Sequence, residues 1–367
     1  MNRVVIAPDS FKGSLTAAEA ARAIAAGWRD VRPDDELLLF PMADGGEGTL
    51  EALAVDRPGV VWHTLRVTGP DGRRTGARWL ELPGSVAAVE LAESSGITKM
   101  PALDPRGATS RGLGEVLRAV ALRQPARILL GLGGSASTDG GWGALSALGL
   151  QAFDVDGQPL PDGGAALDRL SSVDDSALVR LPPITLLADV DNPLLGPGGA
   201  AAVFGPQKGA DDQDVMFLDA CLARWAVALG GDHTLPGAGA AGGVGYGFMT
   251  VYGAQKASGA ATVAESSGLA DAVSSADVVI TGEGRFDDSS LGGKVVGHVL
   301  SLTRSASSQP EVAVVAGALE REPDWGYSLV ELAGSLGSAL ADPAAWLRRA
   351  GSLAATDRDF RIREQMR

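Results

Sequence analysis

The sequence predicts an α/β fold, and three observations carry that prediction. Short apolar runs of strand length alternate with segments of helical periodicity. The 50 glycines among 367 residues gather in clusters between those runs. That is about twice the usual share of ~7% and marks tight turns or close backbone approach to a ligand. A hairpin signal near residues 69–91 breaks the alternation, which a purely doubly wound domain rarely contains. Together these predict a Rossmann/flavodoxin-like parallel-sheet domain interrupted by a second α/β domain with a mixed sheet.

Val4–Ala7 reads as a short buried strand. Thr16-Ala17-Ala18-Glu19 is a capping box that opens a helix running to about Trp28. Leu37–Phe40 is a second strand, a helix starts near Gly46-Glu47, and Val60–Val67 is a third strand. Gly69-Pro70-Asp71-Gly72 is a turn, and Arg78–Leu82 and Val86–Leu91 flank Pro83-Gly84-Ser85 as a hairpin. A helix over Gly112–Leu122, strands at Ile128–Leu132 and Ile184–Ala188, and a long helix over about 214–229 come next. After the glycine-rich run Pro236–Gly247 the rhythm resumes with Val278–Thr281, a helix near Lys294–Arg304 and Val312–Ala316. The simplest division is a discontinuous first domain over 1–64 plus 263–367 and an inserted domain over 65–262. The active site is expected in the cleft between them.

A net charge of −14 argues against a nucleic-acid or anionic-membrane partner, both of which need a concentrated basic face. No apolar window is long enough to span a bilayer, and no charged leader precedes an apolar stretch, so a cytoplasmic location is expected. The lone Cys221 excludes an internal disulfide and a four-thiolate zinc site, and the three histidines lack partners at ligand spacing.

Carboxylates cluster just after predicted strands. Asp9 follows Val5–Pro8, Asp44 and Glu47 follow Leu39–Ala43, Asp189 and Asp191 follow Leu186–Ala188, and Glu283 and Asp287 follow Val279–Gly282. Ligands of open α/β sheets bind outside the carboxyl ends of the strands, so these acids are expected to converge there. Taken singly, each is also what a turn or helix cap requires. The same turns carry Lys12, Lys208, Arg285 and Lys294. Acids for Mg²⁺, cations for phosphate oxygens and glycine amides together make a phosphoryl-transfer set.

No G-x-x-x-x-G-K-[ST] is present, since Gly292-Gly293-Lys294 runs into Val295. Gly131-Leu132-Gly133-Gly134-Ser135-Ala136 follows a strand and fits G-x-G-x-x-A, with Asp154 downstream. That is the form of a dinucleotide site and keeps an NAD(P)-dependent dehydrogenase of a small hydroxy acid as an alternative. Gly237–Gly242 has G-x-G-x-x-G spacing but no strand before it.

Seven blocks in the chain then form a recognisable series. Ala7-Pro8-Asp9-Ser10-Phe11-Lys12-Gly13-Ser14-Leu15 resembles the opening of bacterial glycerate kinases of the glycolate/glucarate-pathway type, and Met42–Thr49 resembles that family's second block. Leu132–Ala136 with Asp139-Gly140-Gly141, Asp189–Leu194, Phe204–Ala210, Pro236–Gly243 and Thr281–Arg285 complete the set in the family's order. Departures are Ser137-Thr138 for a Thr-Asn pair, Phe286–Ser290 for a Leu-Asp-x-Gln-Ser-like stretch, and a divergent tail after Gly317.

The resemblance implies a transferase that phosphorylates D-glycerate with ATP and Mg²⁺. It favours 2-phosphoglycerate over 3-phosphoglycerate, and it is compatible with a homodimer. On that reading Lys12 and Arg111 are candidates for the glycerate carboxylate, with Ser110 and Asp44 beside them in the substrate set. Asp189, with Asp44 second, accepts the hydroxyl proton. Asp191 or Glu283 helps to hold Mg²⁺, and Lys208, Arg285 and Lys294 stabilise charge on the transferring group. Lys12 and Arg285 count with Asp189 as catalytic. Gly133, Gly134, Ser135 and Gly239 supply groups to the triphosphate, with Lys208 and Lys294. A non-catalytic sensor of a small acid is the third reading, separated from the others by ATP/Mg²⁺ turnover beside NAD(P) titration.

Overall fold

The computed structural model describes residues 1–365 apart from 12, 56 and 293, with side chains to Arg358. In chain order its elements begin β1 (Arg3–Pro8), α1 (Ala17–Val31), β2 (Glu36–Leu39), α2 (Thr49–Ala54), β3 (Val61–Thr68), β4 (Arg74–Leu82) and β5 (Val86–Glu90). Next are α3 (Ala92–Ser95), α4 (Arg111–Ala121), β6 (Arg127–Gly131), α5 (Trp142–Ala147), β7 (Gln151–Phe153), β8 (Ser172–Asp174) and β9 (Ile184–Leu187). α6 (Ala200–Phe204), α7 (Asp212–Leu229), α8 (Ala240–Tyr252), β10 (Gln255–Ala257), α9 (Gly259–Ser267) and α10 (Leu269–Ser274) follow. The chain ends with β11 (Val278–Phe286), α11 (Val295–Ser305), β12 (Glu311–Leu319), β13 (Gly326–Ser328), α12 (Leu329–Ala333), α13 (Leu336–Ala341) and α14 (Pro343–Gln365).

Two compact units result. One is Met1–Asp44, Glu51–Arg57 and Gly259–Arg367; the other is Gly45–Leu50 and Pro58–Ser258. The first holds a parallel sheet in the order β13-β12-β11-β1-β2. Counted within the unit, that is the flavodoxin-like order 2-1-3-4-5, with its switch point between β1 and β11. Val4-Val5-Ile6 and Val278-Val279-Ile280 are wholly buried, as expected of inner strands covered on both faces. The predicted capping box forms: Thr16 Oγ1 accepts from Glu19 N, and the Glu19 carboxylate accepts from Thr16 N. α1 then buries Ala17, Ala20, Ala21, Ile24 and Trp28, a helical stripe. It stops just short of Pro33, which disfavours helix in the residue before it. Ile6, Ile24, Trp28, Ile280, Val315 and Leu347 form this unit's core.

The second unit holds a six-stranded mixed sheet in the order β10-β9-β6-β5-β4-β3. The predicted hairpin forms, with Leu82 opposite Val86 across Pro83-Gly84-Ser85. Its neighbour was not foreseen: the strand read at Val60–Val67 turns at 69–73 and pairs antiparallel with β4, so it belongs to this sheet. β5, β6, β9 and β10 run parallel. One core lies around Val89, Leu113, Leu130, Leu186 and Phe248, and a second gathers Trp142, Leu218, Leu222, Trp225 and Tyr246. No helix among the described residues is long and apolar enough to cross a membrane.

Candidate active site

In the second unit the carboxyl ends of three parallel strands are level. Glu90 of β5 is in register with Gly131 of β6, and Gly131 with Leu187 of β9. Segment 45–50 is strapped across all three ends. A Cβ on Gly45 would lie 2.3 Å from the Leu187 carbonyl oxygen, and one on Gly133 would lie 2.3 Å from the Gly46 Cα. Backbone therefore meets backbone, which only glycine permits. Gly133 N donates to Gly45 O at 3.0 Å. The buried Glu90 carboxylate accepts from Gly48 N at 3.3 Å and Leu50 N at 3.2 Å, anchoring the start of α2. That helix starts at Thr49 rather than at Gly46-Glu47, because Gly45 and Gly48 have φ of +95° and +91°.

Asp189 follows β9 on this edge and is half-buried, and Asp44 immediately precedes Gly45. Asp191 lies two residues beyond Asp189, exposed, and its carboxylate meets Lys256 Nζ. Gly239 packs here too: its amide donates to Asn192 O at 2.9 Å, and a Cβ would strike Pro193 O. The second unit thus gathers Asp189, Asp191, Gly133, Gly134 and Gly239 around one sheet edge.

Several expected contacts are corrected by this packing. The Gly133 and Gly239 amides donate to protein carbonyls, so these two N–H groups are not the ones offered to a phosphate. The helix that a dinucleotide fingerprint requires does not open at 133–136; turns continue to Trp142, which removes the structural basis of the dehydrogenase reading. Ser110 is fully buried, donating to Asp139 Oδ2 at 2.8 Å and accepting from Ala144 N at 3.0 Å, so it holds the fold and not a substrate. Arg111 is already compensated: it donates to Asp162 at 3.1 Å and lies 3.6 Å from Glu115. Burial raises the Asp162 carboxyl, and Arg111 opposes that rise.

Lys208 is likewise not a surface phosphate contact. It is 2% exposed, and its ammonium donates to the Ser137 carbonyl. Burial pushes its amine down to about 8, with the Asp139 carboxylate pulling the other way. Ser135 adjoins it, its hydroxyl 3.2 Å from Ser137 O and 3.3 Å from Ala241 O.

In the first unit, Asp9 directly follows β1 at the switch point and donates its amide to Gly282 O of β11 at 2.8 Å. The apolar run predicts a strand ending at Thr281, but pairing with β12 carries β11 on to Phe286 opposite Leu319. Glu283 and Arg285 therefore lie on the strand, not in a turn. Arg285 pairs with Glu320 at 2.5 Å, which raises its already high pKa. Lys294 caps α11 at its start and donates to Ser289 Oγ at 3.0 Å. Lys12 lies outside the described residues.

Two acids of the site were missed in the sequence: Glu90 and Asp139. Asp139 is fully buried and accepts from Ser110 N and Oγ, Ser137 Oγ, Gly141 N and Gly143 N at 2.8–3.2 Å. Glu90 carried the same signal as Asp189, an acid closing an apolar strand run (Val86-Ala87-Ala88-Val89).

No cluster of three or more His, Cys, Asp or Glu side chains able to hold a metal exists among the described residues. Mg²⁺ commonly keeps several waters and takes one or two carboxylates plus nucleotide phosphates.

Known proteins resemble this chain along nearly all of its length. The profile of the glycerate kinase family matches residues 4–356. A glycerate 2-kinase of Escherichia coli (strain K12) is 42% identical over 328 residues, covering 86% of this chain and 85% of its own. A glycerate kinase of Bacillus subtilis (strain 168) is 39% identical over 337 residues, covering 89% and 87%. A solved structure from Salmonella typhimurium LT2, assigned as a glycerate kinase 2, has a TM-score of 0.81 at 36% identity and covers 98% of this chain and 99% of that one.

Proposed function

Since the chain belongs to the glycerate kinase family, we propose that it transfers the γ-phosphoryl group of ATP to D-glycerate in the cytoplasm. The product of this reading is 2-phosphoglycerate. The observation that carries it is segment 45–50 strapped across the carboxyl ends of β5, β6 and β9, which fixes the chain beside Asp44 and Asp189 on backbone contacts. Phosphoryl transfer asks a protein mainly for positioning and charge stabilisation, and backbone-on-backbone packing is a rigid way to position.

In this mechanism Asp189 accepts the proton of the attacking hydroxyl, and Asp44 is the second candidate. The hydroxyl oxygen forms its bond to the γ-phosphorus as the bond to the β-phosphate bridging oxygen breaks, leaving ADP. Lys12 pairs with the glycerate carboxylate. Arg285 and Lys294 meet phosphate oxygens, Arg285 by exchanging its exposed pair with Glu320, which costs little. Asp191 or Glu283 would help to hold Mg²⁺, which when bound neutralises triphosphate charge. A cation holding the carboxylate brings the C2 hydroxyl, its neighbour, nearest the base, which supports the 2-phosphate.

Turnover of ATP with D-glycerate and phosphorus NMR of the product test this reading. Asp189→Asn is expected to lower kcat by about 100-fold or more, the lower end of a general-base contribution, with ATP binding little changed. Near-normal turnover in the folded variant would remove Asp189 from that role. Exclusive formation of 3-phosphoglycerate would show the acceptor held the other way round.

A further inference from the structure

We propose that Lys208 is a positioning residue whose buried ammonium locks the loop at 137–140 onto the left-handed turn at 241–243. It thereby joins the ends of two glycine-rich segments, 131–141 and 237–243, that the kinase reading puts on the nucleotide side. The second half of this proposal rests on the kinase reading; the first half does not.

Three groups converge on one point. A Cβ on Gly242 would lie 2.0 Å from Ser137 O, 2.8 Å from Thr138 Cα and 2.9 Å from Lys208 Nζ. The ammonium donates to Ser137 O, Gly140 N donates to Gly242 O at 3.0 Å, and the Ser135 hydroxyl touches the carbonyls of both Ser137 and Ala241. The turn itself is unusual. Ala241, Gly242 and Gly243 have φ/ψ of 55°/38°, 68°/30° and 91°/3°, three left-handed residues in a row with a side chain on the first. An alanine keeps that conformation only where its surroundings over-determine it. The Ser135 hydroxyl on Ala241 O and the Gly140 amide on Gly242 O supply that constraint, and Lys208 fixes the Ser137 carbonyl that the turn faces.

The charge pattern agrees. A lysine on the surface keeps its hydration at no cost, whereas Lys208 is buried with Asp139 as counter-charge. Asp139 in turn binds the amides that open α5, at Gly141 and Gly143, and both the amide and hydroxyl of Ser110 at the start of α4. Burying an ion pair seldom adds stability over an apolar pair of equal volume. What a buried ammonium adds here is direction: its donors aim at one carbonyl, and the loop carrying that carbonyl is held at both ends, by Asp139 and by Gly242.

Lys208→Met and Lys208→Arg separate positioning from bulk stability. Amide exchange over 136–143 and 239–246 is expected to quicken about tenfold or more in the Met variant with the rest of the chain unchanged, since exchange reports local opening. Its KM for ATP should rise roughly tenfold with a smaller change in kcat, the pattern of lost binding geometry, and Arg should restore most of both. If Lys208→Met does not fold, Lys208→Leu, which also removes the donor, is read in the same way. Unchanged exchange in both segments, or faster exchange throughout the unit, would overturn the lock. Exchange confined to the two segments without any glycerate-dependent turnover in the parent protein would sustain the lock and sink the kinase reading instead.

Discussion

Asp139 and Lys208 set opposite demands on one small volume, and each yields a measurable consequence. Removing the carboxylate in Asp139→Ala strips the acceptor from the amides of Ser110, Gly141 and Gly143 and leaves the Lys208 ammonium buried without its counter-charge. Hydrogen bonds to a charged group contribute about 1.5–3 kcal/mol each, so urea unfolding of the variant should show a loss of at least that order. Lys208 gives a pH signature of defined sign. Its amine is pushed down to about 8 in the fold from 10.5, so between those values the unfolded chain binds more protons than the folded one. Stability from this group therefore rises with pH across that window and is lost as pH falls through 8. At about 1.4 kcal/mol per pH unit the span is on the order of 3 kcal/mol. Unfolding free energies of the parent, taken relative to Lys208→Met, should rise from pH 8 to pH 10; a flat difference would show that the amine is not desolvated. Nothing in the sequence announced this pair. Lys208 sits in a Pro-Gln-Lys-Gly turn that reads as surface, and only tertiary packing puts it inside.

Elements were legible where local chemistry decides them. The Thr16/Glu19 capping box, the Pro83-Gly84-Ser85 hairpin and the long helix α7 ending at left-handed Gly230 all form where read, because caps and turns are set by a few adjacent residues. Lengths set by a partner were not legible. β11 outruns its apolar stretch by pairing with β12, and β3 joins the second sheet because β4 folds back on it. The tail after Gly317 shows the same dependence. α14 lies on α1 so closely that a Cβ on Gly27 would be 1.8 Å from Arg348 O, and one on Gly351 would be 2.2 Å from Ile24 O. Neither glycine has a positive φ, so their role is close approach and not turn geometry. Gly27→Ala should therefore force the helices apart despite alanine's better helix propensity, at a net cost of about 1–3 kcal/mol as for overpacked cores. Thermal melts would decide it: a Tm equal to or above the parent's would show that α14 yields freely.

At the scale of the molecule, the alternation of strand and helix disclosed an α/β protein with an interruption, but strand order is a property of the fold that no local pattern carries. The candidate site was legible to the same extent. Asp189 and the glycine blocks stand out in the sequence, whereas the function of the glycines as a backbone contact surface depends on segment 45–50 reaching residues 90, 131–133 and 187. That short segment is counted with the second unit although residues on both sides of it are counted with the first, which makes a direct test available. A fragment spanning 45–258 keeps the two amides that Gly48 and Leu50 donate to the buried Glu90 carboxylate, and a fragment spanning 58–258 loses both. Hydrogen bonds to a charged group contribute about 1.5–3 kcal/mol each, and losing them at a buried carboxylate adds its desolvation. The shorter fragment should thus be less stable by roughly 3 kcal/mol or more, which for a domain of this size lowers Tm by about 10 °C. Glu90→Gln in the shorter fragment should recover part of that gap, because the amide removes the buried charge that has lost the two strap donors. Equal melting temperatures for the two fragments would mean that the 45–50 strap rests on the sheet edge without holding it.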